Sequence, residues 1–149
     1  MSEIVWSTRD SAEHWYTGLF AFNELYAQWA KKHGMNYTIL FCLYAIRRSE
    51  GEPTPGHVAT VLRLSKQTVN SALDILESKG YISRHVDPVN RRSRRITLLP
   101  LGQSAADEVL DDLYALEKKI FGKLSQRDRK SLIRLTSLVV SNLEEAVNE

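Results

Sequence analysis

Residues 54–99 read TPGHVATVLRLSKQTVNSALDILESKGYISRHVDPVNRRSRRITLL, and the order of elements that they predict indicates the fold class. Thr54 followed by Pro55 predicts a helix start, because proline at the first helical position gives up no hydrogen bond. Ser65 is the natural cap of a second helix, and Gly80 closes that helix. Two short helices joined by a tight turn are therefore expected before this glycine.

The segment after Gly80 changes to the two-residue period of β-strands. Residues 81–86 and 94–98 alternate apolar with polar side chains, and a turn-rich connector of residues 87–93 lies between them. The pattern predicts a two-stranded hairpin with a long basic tip. Two short helices followed by such a hairpin have the order of a winged helix-turn-helix.

Longer helices are predicted on the N-terminal side of this region. An apolar stripe of about four helical turns runs along the first of them. Its members are Trp15, Leu19, Phe22, Tyr26 and Trp29. Gly34 ends this helix and Asn36 caps the next one, whose residues 39–46 are apolar almost all round. A helix with that composition is expected to be buried at the centre of the fold.

Two further helices are predicted after Pro100, with an interruption at Gly122 and a new N-cap at Ser125. The predicted fold class is mainly α with a small β-hairpin wing. We interpret residues 1–149 as one domain, in which helices of residues 1–35 and 100–149 flank a winged helix-turn-helix of residues 36–99.

The net charge of +2 conceals an uneven distribution along the chain. Residues 51–99 carry eight lysines and arginines against four acids, whereas residues 100–149 carry seven against nine. A basic middle region suggests a polyanionic partner. The single cysteine excludes an internal disulfide, no secretory signal is recognisable, and the longest apolar run is too short to span a bilayer. These features favour a cytoplasmic protein without a membrane partner.

The second helix and the hairpin tip supply the candidate contacts to double-stranded DNA. A major groove admits one helix, whose exposed Gln and Asn side chains pair with adenine and whose Lys meets guanine or phosphate. Arginines of the hairpin suit the negative potential of the minor groove. The predicted DNA-binding residues are Ser65, Lys66, Gln67, Thr68, Asn70, Ser71, Arg91, Arg92 and Arg94. Arg94 and Arg95 face opposite ways on a strand, so one is expected to contact phosphate while the other supports the strand.

Four segments, residues 64–69, 76–84, 87–93 and 96–102, resemble the signature of the MarR family of regulators. The wing of that family commonly reads Asp-Pro-x-Asp-Arg-Arg and is followed by a Leu-Thr-x-x-Gly helix start. Asn90 stands where an acid is usual, which predicts a looser or more positive wing. We expect Asp87 to pair with one of the two tip arginines instead. Leu99 stands where a capping threonine is usual.

The resemblance implies a homodimer in which the first helix and the last two helices interlock between subunits. The length and apolar stripes of those helices agree with this interpretation, although a monomeric core is the alternative. Two-fold symmetry would place two recognition helices about 34 Å apart on a palindromic operator. The implied activity is regulation of transcription; we expect repression, with activation as the alternative.

The family also implies a small aromatic or anionic effector in a cleft between the dimer helices and the winged module. The residues predicted to line this cleft are Trp15, Tyr16, Tyr37, Phe41 and Tyr44. Arg47 or Arg48 would meet an acid group of the effector. Core packing or interface packing is the alternative role for an aromatic stripe of this kind.

Other chemistry has little support in the sequence. The four histidines are scattered, and no metal-ligand spacing, phosphate loop or nucleophile motif occurs, so neither a metal, a cofactor nor an enzyme activity is predicted. Cys42 lies inside the most apolar run and is expected to be unreactive. The remaining alternatives are a winged-helix module that binds another protein and a DNA-binding protein without an effector.

Overall fold

The computed structural model describes residues 5–149, which form helices and one antiparallel hairpin. The elements are α1 (Thr8–Lys32), α2 (Tyr37–Arg48), α3 (Pro55–Leu62), α4 (Lys66–Ser78), β1 (Ile82–Val86), β2 (Arg94–Leu98), α5 (Pro100–Phe121) and α6 (Gln126–Asn148). This order confirms the predicted fold class. Within these residues no helix is both long enough and apolar enough to cross a membrane.

The predicted helix caps are all present. Each capping side chain accepts a hydrogen bond from the backbone amide three residues later, which satisfies one of the free donors of the first turn. The distances from the backbone nitrogen to the capping side-chain oxygen are 2.8 Å for Ile39 and Asn36, 3.1 Å for His57 and Thr54, 3.1 Å for Thr68 and Ser65, and 3.0 Å for Asp128 and Ser125. Helix α5 begins without such a side chain, as expected from Leu99.

The chain divides into two compact units, one ending at Asp107 and one beginning at Glu108. In the first unit α2 is the central helix, as its composition predicts. Its buried side chains pack in a core with those of α3, α4 and the hairpin. The fully buried members of this core include Leu40, Leu43, Val58, Val69, Leu73, Leu76, Ile82 and Ile96.

The second unit comprises most of α5 together with α6. Val109 and Leu113 of α5 are buried, whereas α6 has no buried residue. Ile133 and Val147 of α6 are exposed by 68% and 74%. Exposed apolar side chains thus form a large part of the surface of this helix.

The hairpin is joined to the start of α5 through a close backbone approach. The register of β1 and β2 runs from Ile82 opposite Leu98 to Val86 opposite Arg94. The Leu99 amide then donates to the Tyr81 carbonyl at 2.9 Å, and Gly102 packs directly on the Tyr81 backbone. A glycine is required there because a Cβ atom would overlap the Tyr81 backbone.

Candidate nucleic-acid interface

The N-terminal half of α4 presents a continuous polar face to solvent. All six residues predicted from this helix are exposed, while Val69, Ala72 and Leu73 are buried behind them. The Ser65 hydroxyl caps the helix and lies 2.8 Å from the Thr68 hydroxyl. The Ser71 hydroxyl donates to the Gln67 carbonyl at 3.0 Å, so these hydroxyl groups are engaged locally.

Three side chains on this face remain available to a ligand. Within the described part of the chain, Lys66, Gln67 and Asn70 have no side-chain hydrogen bond or ion pair. They are the residues whose chemistry matches guanine, adenine and phosphate groups. The arrangement therefore offers one cationic and two amide groups within the first turns of an exposed helix.

The second half of α4 is braced against the hairpin by Arg84. Its guanidinium lies 2.5 Å from Asp74 and 2.6 Å from Glu77, and its backbone amide donates to Glu77 at 3.1 Å. The hydrogen bond from Arg84 holds the pKa of Glu77 below its ordinary value. Arg84 therefore fixes α4 relative to β1 and is committed to internal contacts. Sequence reasoning missed this role, because a spacing of seven or ten residues between helix and strand follows no simple period.

The wing is organised around a buried carboxylate. Asp87 is exposed by only 4%; it accepts a hydrogen bond from the Val89 amide at 2.9 Å and one from Arg95 Nε at 2.8 Å. The Val89 hydrogen bond and the Arg95 contact lower the pKa of Asp87. The expectation that Asp87 pairs with Arg91 or Arg92 is wrong, because Asp87 turns inward toward the strand.

The tip beyond Asp87 is closed by short-range hydrogen bonds. The Ser93 amide donates to the Asn90 carbonyl at 2.8 Å, and the Arg92 amide donates to the Asn90 side chain at 3.2 Å. Asn90 therefore shapes the turn at the position where an acid is usual in the family. Arg91 and Arg92 are exposed, and among residues 5–149 no acid pairs with either of them.

Arg94 and Arg95 occupy the two faces of β2 and differ as predicted. Arg94 is exposed at the start of the strand. Arg95 is half-buried, and besides Asp87 it donates to the Glu52 carbonyl at 2.9 Å. Arg95 is therefore the strand support, and Arg94 is left for an external contact.

Comparison with known proteins identifies this arrangement. The family model described as the MarR family matches residues 33–93, which include α2, the two short helices, β1 and the wing tip and end just before β2. Residues 33–93 thus match the MarR family, and the winged helix-turn-helix of this chain is of the MarR type. The matched family consists of DNA-binding transcriptional regulators, which agrees with the expectation that the chain is not an enzyme.

Two curated relatives have names that describe regulators. The transcriptional repressor MprA of Escherichia coli (strain K12) is 24% identical over 116 residues, covering 77% of this chain and 66% of MprA. The HTH-type transcriptional regulator PecS of Dickeya dadantii is 27% identical over 106 residues, covering 69% of this chain and 64% of PecS. The chain thus spans slightly less than two thirds of the length of these relatives.

Solved MarR-family structures share the fold over nearly the whole chain. The regulator NMB1585 from Neisseria meningitidis superposes with a TM-score of 0.81 at 21% identity, covering 93% of this chain and 97% of NMB1585. The MepR protein of S. aureus, in a complex with DNA, superposes with a TM-score of 0.78 at 18% identity, covering 89% of this chain and 97% of MepR. These similarities extend the fold assignment to the flanking helices.

The aromatic residues predicted to hold an effector fall into two groups in this MarR-type fold. Tyr37, Phe41 and Tyr44 form a row along α2, with ring centroids 4.6 Å and 6.1 Å apart. Trp15 and Tyr16 lie on α1, where both are exposed. No ring contact joins these two to the α2 row among the described residues.

The two candidate cations for an effector differ in availability. Arg47 forms an ion pair of 2.7 Å with Asp107, whereas Arg48 lies over the Tyr44 ring at 5.6 Å. Arg48 and Tyr44 also line a cavity of about 550 Å³ between the end of α2, the start of α3 and Arg95. Of the two arginines, Arg48 is therefore the one placed to meet an acid group.

Cys42 is a free cysteine buried in the core. Burial raises the pKa of the Cys42 thiol to about 11, which leaves it protonated near neutral pH. Residues 5–149 contain no cluster of three or more potential metal ligands.

Proposed function

We propose that the chain is a cytoplasmic, homodimeric repressor of transcription that binds a palindromic DNA operator and is released by a small aromatic or anionic effector. DNA binding by this protein is supported by one observation: some basic side chains of the winged helix-turn-helix pair with internal acids, whereas others are exposed to solvent. Arg84 and Arg95 are bound to internal acids, whereas Lys66 at the start of α4 and Arg91 and Arg92 at the wing tip are exposed.

In this proposal α4 reads bases and the wing holds the backbone. Gln67 and Asn70 face the edges of adenines, and Lys66 contacts guanine or phosphate. Arg91 and Arg92 enter the adjacent minor groove, where the negative potential of the two phosphate chains is concentrated. Arg94 contacts phosphate. The MepR structure with DNA, which shares this fold, supports placing a duplex against these elements.

The homodimer is supported by apolar surface that one chain leaves open. On α1, Phe20 and Leu25 are exposed by 67% and 62%. On α6, exposed leucines and valines continue along the whole helix. A second copy that covers the exposed apolar side chains of α1, α5 and α6 would remove this surface from water and set the spacing of the two α4 helices. Repression is the activity named for MprA.

The proposed function is tested by selecting random duplexes with the purified protein at physiological salt. We expect enrichment of an imperfect palindrome whose half-sites lie about one helical turn apart, roughly 34 Å. Gln67→Ala and Asn70→Ala should each relax base preference at one position per half-site, by about 1–3 kcal/mol. Gln126→Ala, an exposed glutamine on α6, is the matched control.

Arg91→Ala should weaken binding to all sequences and reduce the salt slope by about one phosphate, with the exposed Arg127→Ala as its control. A winged-helix module that binds an acidic protein would select no sequence. It would also lack the salt slope of about −0.9 per neutralised phosphate that counterion release produces. Either result would reject the proposed function.

The effector part is supported by the aromatic row on α2 and the position of Arg48. In BpsR of Bordetella bronchiseptica, another protein of similar fold, DNA binding is regulated by 6-hydroxynicotinic acid, a compound of the chemistry proposed here. Benzoate is a suitable probe, with benzylamine as the cationic control. We expect benzoate alone to release the operator, and Arg48→Gln to abolish the response. An unchanged response in Arg48→Gln would contradict this assignment.

A further inference from the structure

The loop between α2 and α3 lies along the outer edge of the hairpin. The Pro53 carbonyl accepts a hydrogen bond from the Ile96 amide at 2.9 Å, and the Glu52 carbonyl accepts one from Arg95 Nη1 at 2.9 Å. Pro53 is buried, whereas Glu52 is exposed. These two residues therefore fasten β2 to the helix-turn-helix from the side opposite α4.

The Glu52 side chain joins both strands of the hairpin. One carboxylate oxygen accepts a hydrogen bond from the Thr97 hydroxyl on β2 at 2.5 Å. The other lies 3.2 Å from the His85 imidazole on β1. Since Thr97 also lies 3.4 Å from His85, the three side chains form one cluster on the face of the hairpin beside the loop.

A continuous series of contacts leads from this loop to the wing tip. Arg95 donates to the Glu52 carbonyl and to Asp87, and Asp87 in turn accepts from the Val89 amide in the tip. The angle of the hairpin relative to α4 is thus fixed on one side by Arg84 and on the other by Glu52. Losing one of these attachments would leave the tip free to pivot about the other.

We infer that Glu52 is a positioning residue of the DNA interface, one that holds the wing at the angle at which Arg91 and Arg92 reach the duplex read by α4. The inference rests on the proposed function. Its physical basis is preorganisation, because a wing fixed before binding loses less conformational freedom in the complex. The Glu52 side chain is about half exposed, so the contact contributes far more to orientation than to global stability.

The experiment is a double-mutant cycle measured on the selected operator. Glu52→Ala should weaken binding by roughly 5- to 30-fold and reduce the salt slope, because the wing arginines lose their phosphate contacts. In a protein that also carries Arg91→Ala and Arg92→Ala, Glu52→Ala should have no further effect. Glu50→Ala is the matched control, since Glu50 is an exposed glutamate of the same loop that makes no hydrogen bond or ion pair within residues 5–149.

Two more variants separate positioning from folding. Thr97→Val removes the same contact from the strand side and should reproduce the loss, whereas Glu52→Gln keeps an acceptor for Thr97 and should recover part of the affinity. Thermal unfolding should differ little among these proteins. An equal loss from Glu52→Ala with and without the wing arginines, or a loss no larger than that of Glu50→Ala, would overturn the inference while leaving the proposed function intact. A wild-type protein that binds no duplex would reject both the inference and the proposed function.

Discussion

Replacing Gly102 by alanine tests the close approach that closes the base of the wing. A Cβ atom on Gly102 would lie inside contact distance of the carbonyl oxygen, the carbonyl carbon and the Cα atom of Tyr81. All three belong to the backbone, so no flexible side chain can move aside. The strand leading into the wing or the first turn of α5 must shift instead, and overpacking of this kind costs about 1–3 kcal/mol.

The helix propensity of alanine opposes this cost by about 0.5–1 kcal/mol, since Gly102 lies in the first turns of α5. We therefore expect a net loss of about 1–2 kcal/mol in the free energy of unfolding, measured by circular dichroism during denaturant titration. Gly56→Ala is the control, because its nearest neighbours, Thr54 Oγ1 and Lys66 Cε, lie at 3.8 and 3.9 Å. Gly56→Ala should be neutral or slightly stabilising. A Gly102→Ala protein as stable as the control would refute the proposed packing at the wing base.

Three further predictions concern single groups. Cys42 should resist a thiol reagent at pH 8 while the protein is folded and react at once in denaturant, because burial raises its pKa to about 11; rapid reaction of the folded protein would contradict that burial. The pKa of Asp87 is lowered in the fold, so its contribution to stability is present above the ordinary carboxyl pKa and is lost as the pH falls through the lowered value. Asp87→Asn should flatten the acid side of the stability profile measured by thermal unfolding, and an unchanged profile would count against the buried pair. Ser125→Ala should cost about 1 kcal/mol and Ser125→Gly only a few tenths, as thermal unfolding can show, because the Ser125 hydroxyl caps α6; equal costs would argue against the cap.

The helices and the hairpin were predictable because their signals are local. A cap such as Ser65 satisfies an amide three residues away, and a change from a helical period to a two-residue period marks the hairpin at Gly80. Each of these signals occupies fewer than about ten residues, so neighbouring residues in the chain suffice to read it. The exposed part of the candidate interface was predictable for the same reason. The apolar residues of α4 identify its buried face, and Gln67 and Asn70 lie on the opposite, solvent-facing side.

The internal ion pairs of the wing were not predictable in the same way. Glu52 and Thr97 are 45 positions apart, so their contact depends on how the loop after α2 folds back on the hairpin. Asp87 is followed within eight residues by four arginines, Arg91, Arg92, Arg94 and Arg95, and the choice among them follows from burial. Arg95 lies on the face of β2 that turns toward the loop, whereas the tip arginines lie in solvent, where a carboxylate gains little from pairing.

These pairings determine which charges of residues 51–99 are available to a ligand. The four acids of the segment all have cationic or hydroxyl partners within the fold, namely Arg84 for Asp74 and Glu77, Arg95 for Asp87, and His85 with Thr97 for Glu52. They therefore offset arginines that serve the structure and form no ion pair with Lys66, Arg91, Arg92 or Arg94 within residues 5–149. The positive potential is consequently concentrated at the start of α4 and at the wing tip, on Lys66, Arg91, Arg92 and Arg94. This local arrangement of exposed bases, more than a net charge of +2, is what suits the surface to a duplex.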